Sequence, residues 1–584
     1  MSSGKKSLTV NEILAELEKE DIAADVFIEP ADDGLTDEDS ADEDQGGLID
    51  NLSGKQLDAA GEAALPNGVR LGNLGEDLEN YDDSSYCFKT PKWTRKATFS
   101  SPKPIFPEAN YSQYRNLSPC ELFELFFDEE VFRLIIEQSA LYARYKGGIS
   151  FSTNEKELKV FLGILLLSGI VPVPSRRLYW KNSPVTRNEA VYSAMRRNRF
   201  DKIMQFIHLA DNTNLDDSDK YAKLRPLIRL LSTRFLSHFQ PEQHLSHDEA
   251  MVEYFGRHGC KQCIRNKPIR FGYKVWCLNT DAGYLVSFDL YQGKTYEGNS
   301  YEEKAFGKCG ATVLKNIKSL PDDKIQLPYS YYFDNLFTSF PLLQHLSEQN
   351  YTATGTIRDN RLKKCPLKAV SEMKKEKRGT SDFIIDKANN ISLCRWMDNS
   401  VVTIASTAHG REPLSKVKRY SQKEKKNIEV DCPLVIREYN NHMGGTDRQD
   451  QNVNNYRVSI RGKKWWWCIF TWLLDVSEQN AWILHKKSGG CLPQLDFKEQ
   501  IAESYLKRYG IPPKGPGRPS QGETGCKRVL DDIRFDGIEH YLIETPNKKR
   551  RRCAGNLCSK SPSSQCNKCD VGLCLSCNLA FHTK

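Results

Sequence analysis

Four aspartates in three separated blocks give this chain residues that could do chemistry together. They lie in Ser246-His247-Asp248-Glu249, in Tyr332-Phe333-Asp334-Asn335 and in Gly444-Gly445-Thr446-Asp447-Arg448-Gln449-Asp450. Mg²⁺ and Mn²⁺ prefer hard oxygen ligands, so carboxylates gathered by a fold could hold two such ions beside a phosphodiester. Two ions roughly 4 Å apart stabilise both the attacking and the leaving oxygen of an in-line displacement. Taken singly, each aspartate is at least as well explained as a helix cap or turn former, and Glu249, Asp281 and Asp289 take that reading. Asp447 and Asp450 share a face if they lie on a helix. Gly444-Gly445 permits a sharp turn and a close backbone approach just before them.

Carboxylates so far apart in sequence meet only if strands and helices deliver them to one edge of a sheet. Asp248 is expected to end a first core strand and Asp334 a later one. Aromatic and β-branched runs over 271–280 and 284–291, separated by Asp281-Ala282-Gly283, read as a hairpin. Residues 326–333 read as a strand, 337–349 as the helix after it and 351–357 as another short strand. Three more strand-like runs, 382–385, 392–397 and 401–406, form a β-rich insertion at about 360–430, and 464–487 reads as a long helix. Upstream, Ser118-Pro119-Cys120-Glu121 is a capping box with proline at the first helical position. Helices are expected over 155–167 and 188–209. The fold class is therefore α/β: a mixed-sheet, ribonuclease-H-like nuclease core, preceded by a helical domain.

The net charge of +7 hides an asymmetry. Residues 1–86 hold 23 Asp/Glu and 5 Lys/Arg, about −18, which leaves about +25 on the remainder. The basic body suits a polyanionic partner. The arm, residues 1–105, is acidic and poor in large apolar residues, and is expected to be mostly disordered, apart from a short helix over 9–20. Nothing at the N-terminus resembles a signal peptide, and the longest apolar run, 160–173, is too short to span a bilayer. Six of the 18 cysteines fall between Cys553 and Cys577, a distribution that fits a reducing compartment with one local metal module. Cys553, Cys558, Cys566, Cys569, Cys574, Cys577 and His582 are seven Zn²⁺ ligand candidates, with His540 a speculative eighth. Cys260-x2-Cys263 reads as two incidental cysteines.

Lys267, Arg270 and Lys274 follow the first acidic block, and Arg461, Lys463 and Lys464 follow the last. Beside a metal site these side chains would hold a DNA backbone. Trp465, Trp466 and Trp467 read mainly as core. Lys514-Gly515-Pro516-Gly517-Arg518-Pro519 reads as linker more readily than as an AT-hook. Lys548-Lys549-Arg550-Arg551-Arg552 suits both nuclear import and phosphate contact.

Several blocks occur together in one order: Val160-Phe161-Leu162-Gly163-Ile164, Lys223-Leu224-Arg225-Pro226-Leu227, Asp248-Glu249, 266–274, Phe333-Asp334-Asn335-Leu336-Phe337-Thr338-Ser339, Gly355-Thr356-Ile357-Arg358, 444–450 and Asn480-Ala481-Trp482. With them the chain resembles the piggyBac family of DNA transposases and their host-retained derivatives over roughly 117–584. The resemblance implies a DDE/D catalytic triad of Asp248, Asp334 and Asp447, with Asp450 an additional essential carboxylate. It implies Mg²⁺ (or Mn²⁺) held by Asp248, Asp334 and Asp447, and a cross-brace module with two Zn²⁺. It also implies double-stranded DNA partners (terminal inverted repeats and a TTAA target), a homodimer, and the nucleus rather than a membrane. Thr446 departs from the family's usual valine, with little effect expected on the turn. The layout expected is an arm (1–105), a helical dimerisation and DNA-binding domain (106–240), the core (241–490), a linker (491–547) and the zinc module (548–584). A non-catalytic nuclear DNA-binding protein and a zinc-based chromatin reader are the alternatives.

Overall fold

The structure, a computed structural model, describes residues 105–512 and 529–583 apart from 149, 255, 257, 265–268, 270, 294–300, 363, 423 and 530. It also describes 88–95, 99 and, nearer the N-terminus, 8–9, 12–13, 25–28, 60–64 and 70–72. The chain divides into two units, 1–512 and 513–584. Most of the helix expected at 9–20, the acidic run at 36–44, Lys267, Arg270 and the 514–519 segment lie outside the described residues.

Helices open the first unit. Ser118 caps α1 (Pro119–Glu124) in the capping box expected, its side chain accepting from the Glu121 N–H. Asp128 and Asn154 cap α2 (Glu129–Tyr145) and α3 (Glu155–Ile170) in the same way, each side chain satisfying an N–H that has no partner within its helix. The single helix expected over 188–209 is two, α4 (Glu189–Ala194) and α5 (Arg197–Phe206). Between them Met195 and Arg196 are extended. The carbonyls there are taken from outside the helix, Met195's by the Trp180 indole N–H (2.7 Å) and Ala194's by the Ile511 N–H (2.9 Å). Helix α6 (Arg225–His238) leads into the sheet.

The core sheet holds β1 (His244–Glu253), β2 (Phe271–Thr280), β3 (Leu285–Leu290), β4 (Ser330–Phe333) and β5 (Thr352–Thr356). Their spatial order is β3-β2-β1-β4-β5. β2 is antiparallel to both β1 and β3, whereas β4 runs parallel to both β1 and β5. Helix α7 (Tyr301–Lys318) crosses from β3 towards β4, and α8 (Phe340–Glu348) connects β4 to β5. All ten residues of β2 are buried, as expected of a strand covered on both faces.

The β-rich insertion extends this sheet. β6 (Ser381–Asp386), β7 (Ile391–Met397) and β8 (Val401–Ser406) join it through β8, which pairs with β5. A separate ribbon follows, β9 (Ser415–Ser421) with β10 (Lys426–Cys432). Then come α9 (Leu434–His442), α10 (Gly445–Asn455), α11 (Trp467–Lys487) and α12 (Gln494–Tyr509). Helix α12 belongs to the first unit and packs on α3, so the linker expected from 491 starts after it.

Part of the acidic arm is ordered. Asp25–Ile28, Ala60–Ala64 and Arg70–Gly72 are strands, and Asp25–Ile28 pairs with Gln262–Ile264 beside β2, contrary to the expectation of disorder for those segments. Among the described residues no helix is long and apolar enough to cross a membrane.

Candidate acidic site and metal centres

Asp248 lies inside β1, which continues to Glu253, rather than at a strand end. The strand is longer than expected because β2 pairs with it along its whole outer half, up to Glu253↔Gly272. Ser246 and Ala250 share its face. In the parallel ladders His247 stands opposite Phe333, and Phe333 opposite Gly355. One step further along each strand come Asp248, Asp334 and Thr356. The register thus sets them in a row, with strands about 4.8 Å apart.

The turn after β4 is built to aim Asp334. The Leu336 N–H donates to Asp334 Oδ1 (2.8 Å), and the Thr338 hydroxyl donates to the Asp334 carbonyl (2.7 Å). Arg358 Nε donates to Asn335 Oδ1 (2.8 Å), and the buried Arg361 donates to the carbonyls of Asn335 (2.9 Å) and Thr338 (2.7 Å). A Cβ on Gly355 would sit 2.2 Å from Thr338 Oγ1 and 2.7 Å from the Phe333 carbonyl. Only glycine lets β5 close against this turn, so the 333–339 and 355–358 motifs form one device.

The third carboxylate arrives on α10, which lies over β1 and β2. A Cβ on Gly445 would meet Ser246 Oγ at 2.4 Å and the Thr280 carbonyl at 2.6 Å. The start of α10 therefore rests directly on the face that carries Asp248, with Asp447 two residues on. Thr446 donates to Asn279 Oδ1 (2.9 Å), and Asn279 Nδ2 donates to Gln449 Oε1 (2.7 Å). Thr446, read as a neutral departure from valine, is a bonded member of this buried network. Asp447 is exposed and Asp450, one turn on, half-buried.

The electrostatics mark a crowded anionic site. Burial pushes the Asp334 carboxyl up to about 6, with the charge of Glu249 adding to the rise; the Leu336 N–H, Arg358 and Lys274 oppose it. Burial holds the Tyr439 hydroxyl far above its ordinary range, a hydrogen bond with Thr356 opposes this, and the charges of Asp334, Asp248 and Asp447 reinforce it. One phenol on α9 thus senses all three aspartates. Glu249, read as ordinary, belongs to the same field. His247 is pushed down to about 3 by burial and stays neutral between Trp276 and Phe337.

The basic candidates divide. Lys274 is buried, its ammonium 4.0 Å from the centre of the Trp276 ring. Lys464 donates to the carbonyls of Gln205 (3.0 Å) and Ile207 (2.5 Å) at the C-terminal end of α5, where a cation also suits the helix dipole. Arg461 and Lys463 are exposed. Trp465, Trp466 and Trp467 are all buried. Cys260 is buried too, with its thiol pushed up to about 11 by burial.

In the second unit two tetrads bring their donor atoms within 4.8 Å of one another and could each hold a metal ion. One is Cys553, Cys558, Cys574 and Cys577; the other is His540, Cys566, Cys569 and His582. His540 is thus the eighth member. Its Nδ1 lies 3.5 Å from the Sγ atoms of both Cys566 and Cys569, and its Nε2 is 2.9 Å from Asp536 Oδ1. His582 Nε2 is 3.4 Å from Cys569 Sγ, and its Nδ1 2.8 Å from the Asn578 carbonyl. Cys574 Sγ lies 3.7 Å from Cys553 Sγ and 3.9 Å from Cys558 Sγ. In chain order the two tetrads interleave by pairs, Cys553 and Cys558, then Cys566 and Cys569, then Cys574 and Cys577, with His540 before them and His582 after. His540 carried little sequence signal, standing 26 residues before Cys566 with no ligand beside it.

A mixed sheet with Asp248 and Asp334 in one row and the start of α10 over it is the frame in which comparisons with known proteins place this chain among transposases. A family model described as "Transposase IS4" matches residues 118–482, which include all four aspartates. The chain is 40% identical to human PiggyBac transposable element-derived protein 3 over 615 aligned residues, covering 99% of this chain and all of that protein. It is 38% identical to human PiggyBac transposable element-derived protein 2, covering 91% and 88% of the two chains. The fold matches a piggyBac transposase solved by cryo-EM as a synaptic complex with hairpin DNA, with a TM-score of 0.57 and 20% identity over 80% of this chain and 98% of that one. The chain belongs to the piggyBac transposase family.

Proposed function

We propose that the first unit is a metal-dependent DNA transposase core of the ribonuclease-H-like class, retained by its host with the acidic site intact. The observation that carries this reading is the row formed by Asp248 and Asp334 with the start of α10 seated over it. The β3-β2-β1-β4-β5 order, three strands antiparallel and two parallel, supports the fold class. The donor set fits a hard divalent cation: it is all oxygen, and burial, with the charge of Glu249 adding, holds the Asp334 carboxyl up near 6 where a cation would relieve it. Asp248, Asp334 and Asp447 would hold Mg²⁺ or Mn²⁺, which would supply Lewis-acid stabilisation of phosphoryl oxygens. Asp450 lies one helical turn beyond Asp447, and Arg461 and Lys463 are exposed cations close after it in sequence, so both suit phosphate contact.

The reaction is phosphodiester cleavage at a transposon end. The 3′-hydroxyl released attacks the opposite strand to form a hairpin, and after reopening the 3′-ends join a TTAA target. Each step is a phosphoryl transfer, so one acidic site serves them all. The match to a piggyBac transposase synaptic complex with hairpin DNA supports DNA as partner, and the homodimer stays what the family resemblance implies. Kinship with human transposable-element-derived proteins supports host retention. The basic run 548–552 supports a nuclear location.

The second unit is a two-zinc module that recognises DNA. With Zn–S near 2.3 Å and Zn–N near 2.0–2.1 Å, a tetrahedral ion spaces two sulfurs by about 3.8 Å and a sulfur and a nitrogen by about 3.5 Å. The 3.7–3.9 Å and 3.4–3.5 Å separations match. Asp536 and the Asn578 carbonyl fix the second nitrogen of each histidine, as zinc ligands require.

The test is incubation of the full chain with Mn²⁺ and DNA carrying TTAA-flanked inverted termini. Nicks and hairpins that vanish in Asp248→Asn support the enzyme. Binding without cleavage at any Mn²⁺ concentration would make this a DNA-binding derivative instead.

A further inference from the structure

The turn between β2 and β3 grips both ends of the segment that delivers Asp447. Asp281 Oδ2 lies 2.6 Å from Nδ1 of His442, the last residue of α9. A carboxylate oxygen only accepts, so the Nδ1–H is the donor. The Asp281 carbonyl accepts from the Arg448 guanidinium on α10. Asp447 stands between these two held residues, just past the Gly444-Gly445 joint. The turn also comes close under α10, since a Cβ on Gly283 would lie 3.0 Å from the Gln449 nitrogen. The His442 ring is itself fixed: it stacks on His244 of β1, with centroids 3.7 Å apart, and its Nε2 lies 3.6 Å from Glu438 Oε2. His244 Nδ1 is tied in turn to the Tyr332 hydroxyl of β4 (3.2 Å). Turn formation does not account for the Asp281 carboxylate. An aspartate that shapes a turn bonds backbone N–H groups close by in sequence. Here Thr280 does that work, its hydroxyl accepting from the Tyr284 N–H (3.2 Å) and its carbonyl from the Gly283 N–H (2.9 Å). Asp281 Oδ1 is buried with no hydrogen-bond partner among the described residues, and Oδ2 faces His442.

We propose that Asp281 is a positioning residue for Asp447: it holds His442 with its side chain and Arg448 with its backbone, and so fixes where the first turn of α10 sets that carboxylate. The inference rests on the metal-dependent reading of the site and assigns a role outside the four aspartates. The side-chain half of the hold can be removed alone, because a substitution at 281 leaves the carbonyl that Arg448 uses. A metal ligand depends on the groups that orient it, and loss of such a group typically weakens metal binding about 10- to 100-fold.

The experiment uses the full-length protein with no DNA present. Backbone hydrogen exchange over 442–448 is read by mass spectrometry without added metal, and the Mn²⁺ Kd by electron paramagnetic resonance. Asp281→Ala should speed exchange over 442–448 about tenfold, as expected for one lost hydrogen bond to a charged group, while β1 and β4 exchange as in wild type. Its Mn²⁺ Kd should rise about tenfold. Asp281→Asn keeps an oxygen that accepts from the Nδ1–H and should recover most of both losses. His442→Asn, whose amide N–H falls where the Nδ1–H stood, should be milder than His442→Gln, whose amide reaches only the Nε2 position. Asp281→Ala that binds Mn²⁺ as wild type does would overturn this inference alone, and so would Asp281→Asn no better than Asp281→Ala. Wild-type protein that binds no Mn²⁺ would overturn the metal reading and the inference with it.

Discussion

Glu478→Gln should stabilise the first unit above neutral pH and leave it unchanged in acid. Helix α11 carries Asp475 and Glu478 into the interior, where Lys498 of α12 meets them. Its ammonium lies 2.7 Å from Asp475 Oδ1 and 3.6 Å from Glu478 Oε2, with all three side chains about 1% exposed. Asp475 Oδ2 also accepts from the Val458 N–H (3.0 Å). One cation serves two carboxylates, and Glu478 has the poorer share. Burial pushes its carboxyl up to about 7 against the attraction of Lys498, with Asp475's charge adding to the rise. A carboxyl raised in the folded state contributes stability that is fully present below its ordinary pKa of 4.5 and is lost as pH climbs through 7. A rise from 4.5 to about 7, at about 1.4 kcal/mol per pH unit, corresponds to roughly 3.5 kcal/mol. Glutamine keeps the shape and an acceptor for Gln494 without the charge. The nine tryptophans all lie between Trp93 and Trp482, so their fluorescence during urea unfolding follows the first unit alone. The variant's urea midpoint should exceed wild type by about 1 M at pH 8, taking an m-value of a few kcal/mol per M, and match it near pH 4.5. A wild-type midpoint flat from pH 5 to 8, or a variant weaker at pH 8, would refute the reasoning.

Two further substitutions probe the positioning of the sites. Gly445→Ala puts a methyl 2.4 Å from Ser246 Oγ and 2.6 Å from the Thr280 carbonyl. It should cost about 1–3 kcal/mol in urea unfolding and lift Asp447 away from Asp248, lowering DNA cleavage at least 100-fold; near-normal cleavage would show that α10 does not set the geometry. His540→Ala removes one donor of four at the second tetrad. Zinc measured by mass spectrometry should fall from two ions to one per chain, and a content that stays at two would show that His540 is not a ligand.

The acidic blocks were legible because their motifs are local: a strand, a turn residue and a carboxylate within a few positions. The 271–280 and 284–291 hairpin was legible through its Asp281-Ala282-Gly283 turn, and the helix at 118–124 through its capping box. What escaped was set by tertiary contact. Asp248 was expected at a strand end, and nothing local revealed that β2 would pair beyond it. The break between α4 and α5 depends on Trp180 and Ile511 taking two carbonyls from outside. Lys464 read as a phosphate contact because its sequence neighbours are basic, whereas its ammonium closes the end of α5. His540 joins donors far along the chain, and no short window displays such partners.

The claim that most depends on the fold is that Asp248, Asp334 and Asp447 surround one cation position. Fe²⁺ bound in place of Mg²⁺, with ascorbate and peroxide, cuts the polypeptide backbone close to where it sits. The account predicts cuts near residues 248, 334 and 447 in the same sample, suppressed together by excess Mg²⁺ and lost together in Asp334→Asn. Cutting at one of these segments alone, or cuts at all three that Mg²⁺ does not compete away, would contradict it.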